Sequence, residues 1–194
     1  MDTTSEKVFE ALRFAVEAHG YQARKKTKIP YIVHPLGVGK ILIEYGFPDD
    51  LVVAGILHDT LEDTKVTGKM IADKFGAGVL TIVEGCSEQD KSLSWMERKT
   101  QMLRLAANVP EEVLTVECAD KLDNIRAIRH DCAREGERFW QKLSASKEKQ
   151  CWYYRSFVRV CVQRMTSGPV AAMAREFADE VKTVFGGEGP IESG

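Results

Sequence analysis

An apolar run, Leu51 to Leu57 (LVVAGIL), leads without a break into HDTLED, which carries His58, Asp59, Glu62 and Asp63 within six residues. Such a run belongs in a protein interior, and a charge carried there is expensive unless something compensates it. Pro48 followed by Asp49 and Asp50 reads as the opening of a helix, with acids at its positive end. The stretch predicts a buried helix that delivers a histidine and three carboxylates to one end, where water, a partner or a cation must meet them.

The remaining segments read almost entirely as helix. In SEKVFEALRFAVEAHG, apolar Val8, Phe9, Leu12, Ala15 and Val16 recur at helical spacing, with Ser5 as the N-cap and Gly20 as the stop. Pro30 and Pro35 make an irregular entry to a helix from about Pro35 to Tyr45, because a proline in a first turn removes only an amide that would be unpaired anyway. Two short helices break at Gly76, and another ends before Pro110. A long helix follows, with Val113, Val116, Ala119, Leu122 and Ile125 on its apolar side, then a helical stretch through YYRSF and a last helix after Gly168-Pro169. VLTIVEG and EVLTVEC resemble strands in isolation, but the surrounding periodicity favours helix. The expectation is an all-α helical bundle, a single domain over residues 1–185 with a flexible tail at 186–194.

Composition narrows the setting. The chain has 194 residues, enough for one sizeable core, and a formal net charge of -2, which gives no electrostatic case for binding nucleic acid or a membrane surface. Five cysteines (Cys86, Cys118, Cys132, Cys151, Cys161) lack CxxC spacing, so reduced structural thiols in a reducing compartment are expected. No apolar run approaches the roughly 20 residues that cross a bilayer, and the first residues lack a signal core. These features predict a cytoplasmic protein; oligomeric state has no signature in the sequence.

His34 (YIVHPLG) and Asp120 (ECADKLDN) also interrupt apolar contexts. Taken alone, His58-Asp59 is most simply a hydrogen-bonded pair and ADKLDN an amphipathic helix with a charged face. Taken together, His34, His58, Asp59 and Asp120 supply two imidazoles and two carboxylates from separate helices, and one divalent cation would offset all four burial costs. Mixed His/Asp ligation suits Mn²⁺, Fe²⁺ or Zn²⁺. On a helix continuing from His58, Glu62 and Asp63 fall one turn beyond His58 and Asp59 on the same face, within reach of a reacting water or leaving oxygen.

This order of motifs resembles the HD-domain metal-dependent phosphohydrolases. Within them it is similar to the hydrolase domain of the RelA/SpoT homologue superfamily and its stand-alone small alarmone hydrolases. AHGYQARKKTKIPYIVHPLGVGKIL resembles that branch's opening, AGILHDTLEDT its HD core, FGAGVLTIVEGCSE and ERKTQML the following segments, and ADKLDNIRAI its later helix. The resemblance covers roughly residues 8 to 130. It implies an HD-domain fold with His34, His58, Asp59 and Asp120 holding Mn²⁺ and Glu62 and Asp63 as the catalytic acid pair. It also implies Arg24 stacked on a guanine, Lys25 on phosphate, Asn124 at the ribose, Arg126 on phosphate or bracing its helix, and Tyr154 or Tyr153 at the base. The implied reaction is attack of water on the 3′-pyrophosphate of (p)ppGpp, releasing pyrophosphate and GDP or GTP.

The chain departs from the long bifunctional members at Ala127, where those often carry threonine, at Asp123 and in the approach from Lys25 to Pro30. It ends where they begin their synthetase domain, so the resemblance implies hydrolysis without synthesis. Two rivals stand beside this reading. The same site could serve another nucleotide, as an NADPH 2′-phosphatase or an adenosine alarmone hydrolase. An inactive nucleotide-binding module would be expected to lack a ligand or one of the acid pair, and all six residues are present.

Overall fold

The computed structural model describes residues 6–24, 27–87 and 92–187. The Ser5 cap, Lys25 and the tail beyond Gly187 lie outside them. Among the described residues no strand forms, and one isolated antiparallel bridge joins Ala23 to Pro30. The helices are α1 (Glu6–His19), α2 (Val33–Glu44), α3 (Asp49–Leu57), α4 (Thr60–Asp63), α5 (Gly68–Phe75), α6 (Ala77–Cys86), α7 (Trp95–Ala106), α8 (Glu111–Glu135), α9 (Lys147–Arg164) and α10 (Gly168–Phe185). The chain is therefore all-α, and both strand-like stretches lie in helices, α6 and α8.

Three details differ from the sequence expectation. On α1 the buried face is Val8, Ala11, Ala15 and His19, while Phe9 and Val16 face water at 60% and 51% exposure. Between α8 and α9 a 3-10 segment, Gly136–Lys142, replaces part of the expected helix. The helix through LVVAGIL also stops at Leu57 rather than continuing through His58. The Thr60 hydroxyl donates to the Leu57 carbonyl at 2.7 Å, offering the backbone an alternative partner, and a separate four-residue turn, α4, carries Glu62 and Asp63.

The chain divides into two compact units. The first holds α1 to α6 and residues 112–120 of α8, around a core that includes Ile41, Leu42, Ile56, Leu57, Ile71 and Leu114. The second holds α7, the rest of α8, α9 and α10. Its centre is aromatic: the Phe157 and Phe177 rings meet edge-on at 6.3 Å. Arg164 closes the end of α7 by donating to the Ala106 and Val109 carbonyls, each at 2.7 Å. Ser94 and Glu97 form a capping box at its start, satisfying backbone donors that would otherwise be orphaned.

Candidate metal centre

Within the first unit, α2 and α3 pack closely because each offers a glycine to a side chain of the other. A Cβ on Gly55 would sit 2.3 Å from Leu42 Cδ1, and one on Gly39 would sit 2.7 Å from Ile56 Cγ1. Glycine at both positions lets the two backbones approach and sets the spacing of His34, near the start of α2, and His58, just past α3. Gly85 on α6 makes a similar close contact with Val113 of α8, the helix that carries Asp120.

The result is a tight cluster. His34 Nε2 lies 3.1 Å from Asp120 Oδ1 and 3.7 Å from Asp59 Oδ2; His58 Nε2 lies 3.0 Å from Asp59 Oδ2 and 3.9 Å from Asp120 Oδ1. The imidazole rings stand nearly perpendicular, 5.2 Å apart. One ligand atom from each of His34, His58 and Asp120 falls within 4.8 Å of the others, and all three residues are buried. Asp59, half-buried, completes the set at the distances given above.

The tautomer of His58 shows what the cluster suits. Its Nδ1 lies 2.7 Å from the Gly55 carbonyl, which can only accept, so Nδ1 carries a proton and Nε2 is the nitrogen that can offer a lone pair to a metal. That Nε2 is buried and makes no regular hydrogen bond, although Asp59 Oδ2 lies 3.0 Å away. A lone pair held this way, aimed among a second imidazole and two carboxylates, is the arrangement a metal-ligating histidine takes, with its other nitrogen fixed by a backbone carbonyl. The four side chains fit a divalent metal ion.

Without a metal, a proton takes part of that role. Burial works against a charged His58, but the Asp59 carboxylate, with help from Asp120, raises its pKa to about 10. Burial likewise works against a charged Asp59, and the neighbouring His58 outweighs it, holding that carboxyl well below its usual range.

Sequence reasoning gave no individual role to three residues that frame this cluster, although each stands inside the quoted opening motif. The Tyr31 hydroxyl donates to Asp59 Oδ2, and burial, followed by the Asp59 charge, raises its pKa far above the ordinary phenol value, so it stays a donor. The Gln22 amide donates to the Asp63 carbonyl at 2.7 Å. His19 Nδ1 lies 3.0 Å from Gln22 Oε1, and its ring packs on Tyr31 with centroids 4.9 Å apart. Glu62 is half-buried and Asp63 exposed, and the Asp63 amide bonds the Asp59 carbonyl at 3.0 Å, keeping α4 in helical register with the ligand. Beside Asp63 opens a cavity of about 620 Å³, lined by Phe14, Gln22, Lys65, Val66 and Met70 among others.

The expected substrate contacts belong to several elements of the two units. Arg24 is half-buried, and its backbone pairs with Ile29 and Thr27 across the loop before α2. Lys25 lies outside the described residues. Asn124 follows Asp120 by one turn on α8. In the second unit, the Arg126 guanidinium pairs with Glu176 of α10, and Tyr154 is buried, its ring near Tyr153, Phe177 and Phe185.

The HD-domain family matches residues 11–150 of this sequence. The chain belongs to that family, in the branch of the RelA/SpoT homologues. A Xenopus tropicalis protein, guanosine-3′,5′-bis(diphosphate) 3′-pyrophosphohydrolase MESH1, is 42% identical over 139 residues, which cover 70% of this chain and 76% of the relative. A crystal structure of lmo0812 from Listeria monocytogenes superposes with a TM-score of 0.72 at 33% identity, covering 78% of this chain and 98% of the other. A second structure, described with the words "a metazoan ortholog of SpoT hydrolyzes ppGpp and plays a role in starvation responses", gives a TM-score of 0.72 at 27% identity over 93% of this chain and 98% of the other.

Proposed function

We infer that this chain is a metal-dependent pyrophosphohydrolase that removes the 3′-pyrophosphate of guanosine alarmones, (p)ppGpp, with manganese as its metal. The observation that carries the reading is the unpartnered Nε2 of His58, locked toward His34, Asp59 and Asp120, with the acid pair Glu62-Asp63 fastened one turn away. The MESH1 relatives, named for this activity, and the structure described as hydrolysing ppGpp support the choice of substrate. Oxygen and imidazole donors in this mixture suit manganese among the divalent ions.

His34, His58, Asp59 and Asp120 would hold the ion, which when bound supplies a Lewis acid for the phosphoryl oxygens and acidifies a water. Glu62 and Asp63 take the proton from the attacking water and return one to the departing 3′ oxygen, so that water and ppGpp become GDP and pyrophosphate. Arg24 and Asn124 would meet the nucleotide, with Lys25 at its phosphates. Arg126, already paired with Glu176, serves as a helix brace, and Tyr154 is buried among aromatic rings of its own unit. The catalytic domain spans 1–185 in this reading, and a cytoplasmic setting accords with five free thiols.

Product analysis with Mn²⁺ and ppGpp is the test. Pyrophosphate and GDP are expected from the wild type; Asp59→Ala should lose metal, and Glu62→Ala should keep metal while turnover falls at least a hundredfold, the usual scale of a lost general acid-base group, roughly 10²–10⁴. Parallel assays with NADPH and an adenosine alarmone decide the base, and inorganic phosphate in place of pyrophosphate would overturn the reaction.

A further inference from the structure

The connection between α1 and α2 is anchored to the metal cluster and to the acid pair by different side chains. The bridge from Ala23 to Pro30 closes its base, with the Arg24 amide bonded to the Ile29 carbonyl at 2.9 Å and the Tyr31 amide to the Gln22 carbonyl at 2.8 Å. From this stem Tyr31 reaches Asp59, inside the Leu57–Thr60 kink, and Gln22 reaches the Asp63 carbonyl beyond it. The hydrogen bonds leave no freedom in the side-chain orientations. Because the Asp63 carbonyl can only accept, the Gln22 amide nitrogen must face it and Oε1 must face away. His19 Nδ1 must then carry the proton that Oε1 accepts, while His19 Nε2 is buried and without a hydrogen-bond partner. Leaving that nitrogen unpaired has a cost, and the His19–Gln22 bond holds the ring in place despite it.

We propose that Tyr31 and Gln22 are positioning residues with separate duties: Tyr31 fixes the metal-facing carboxylate of Asp59, and Gln22, oriented by His19, fixes the acid pair at Asp63. The stem that brings in Arg24 is thereby registered to both halves of the site. This rests on the functional reading above, and the experiment separates the two. A hydrogen-bonded partner behind a ligating carboxylate typically changes metal affinity or activity by roughly 10–100-fold.

Tyr31→Phe and Gln22→Met keep side-chain bulk and remove one hydrogen bond each. Tyr31→Phe should weaken Mn²⁺ binding, measured by calorimetry, about tenfold, a larger change than the one it makes in kcat at saturating Mn²⁺. Gln22→Met should bind Mn²⁺ as wild type does and lose about tenfold in kcat for ppGpp, with KM little changed. His19→Asn combined with Gln22→Met should cost no more than Gln22→Met alone, since the two act through one bond. A simple loosening of the loop would move metal affinity and kcat together in both variants, and that result overturns the proposal. So does wild-type Mn²⁺ affinity in Tyr31→Phe, or wild-type kcat in Gln22→Met. If the wild type leaves ppGpp intact, the functional reading falls, and the Mn²⁺ titration of Tyr31→Phe alone decides the proposal.

Discussion

His58 Nδ1 is hydrogen-bonded to the Gly55 carbonyl, and that bond decides which nitrogen faces the carboxylates. A metal must take the Nε2 lone pair that a proton holds in its absence, so the two compete. The raised pKa of His58 means that its protonated form stabilises the metal-free fold fully below pH 6.5, and that this contribution fades as pH climbs toward 10. Asp59, lowered from 3.8, contributes above that value and loses its contribution only in stronger acid. Added Mn²⁺ should therefore raise the melting temperature by an amount that grows as pH rises above 6.5, as expected when ligand binding expels a proton. Calorimetry with and without metal across that range checks this; a gain that does not vary with pH would mean no proton leaves.

At the scale of elements, the contact between α2 and α3 carries the most consequence. Gly55→Ala would press a methyl group against Leu42 at a site with no space, and overpacking of this kind costs about 1–3 kcal/mol. Urea denaturation should show that loss, and Mn²⁺ affinity should fall with it because His34 and His58 would move apart. Unchanged affinity would mean that Leu42 rotates aside. Most helices were legible from apolar spacing and from punctuation at Pro48, Gly76 and Pro110. The kink at His58 was not, because LVVAGILHDTLED has a continuous helical pattern and the break comes from the Thr60 hydroxyl, a local competition that periodicity does not register. The exposure of Phe9 and Val16 was equally hidden, since spacing names two adjoining faces of α1 and only packing selects one.

For the whole molecule, metal and fold are linked. An ion that binds only the native state at a hundred times its Kd adds about 2.7 kcal/mol to the unfolding free energy, so a chelator should lower the melting temperature and Mn²⁺ should restore it. An unchanged melting curve would separate the cluster from stability. Among the described residues no helix is long and apolar enough to cross a membrane. The convergence of His34, His58, Asp59 and Asp120 could be anticipated because each places a titratable group inside an apolar context, a local anomaly visible without coordinates. The parts played by His19, Gln22 and Tyr31 could not. Each is unremarkable alone, and its meaning comes from hydrogen bonds that span as many as 41 residues of chain.

Gly55 acts twice: its carbonyl aims the His58 ring, and its missing side chain sets how near the two histidine-bearing segments lie. Ligand chemistry and helix spacing thus depend on one residue and cannot be adjusted separately there. A lineage that acquired a larger residue at Gly55 would have to recover from across the contact, by trimming Leu42 or Val38, before the ion could be gripped again.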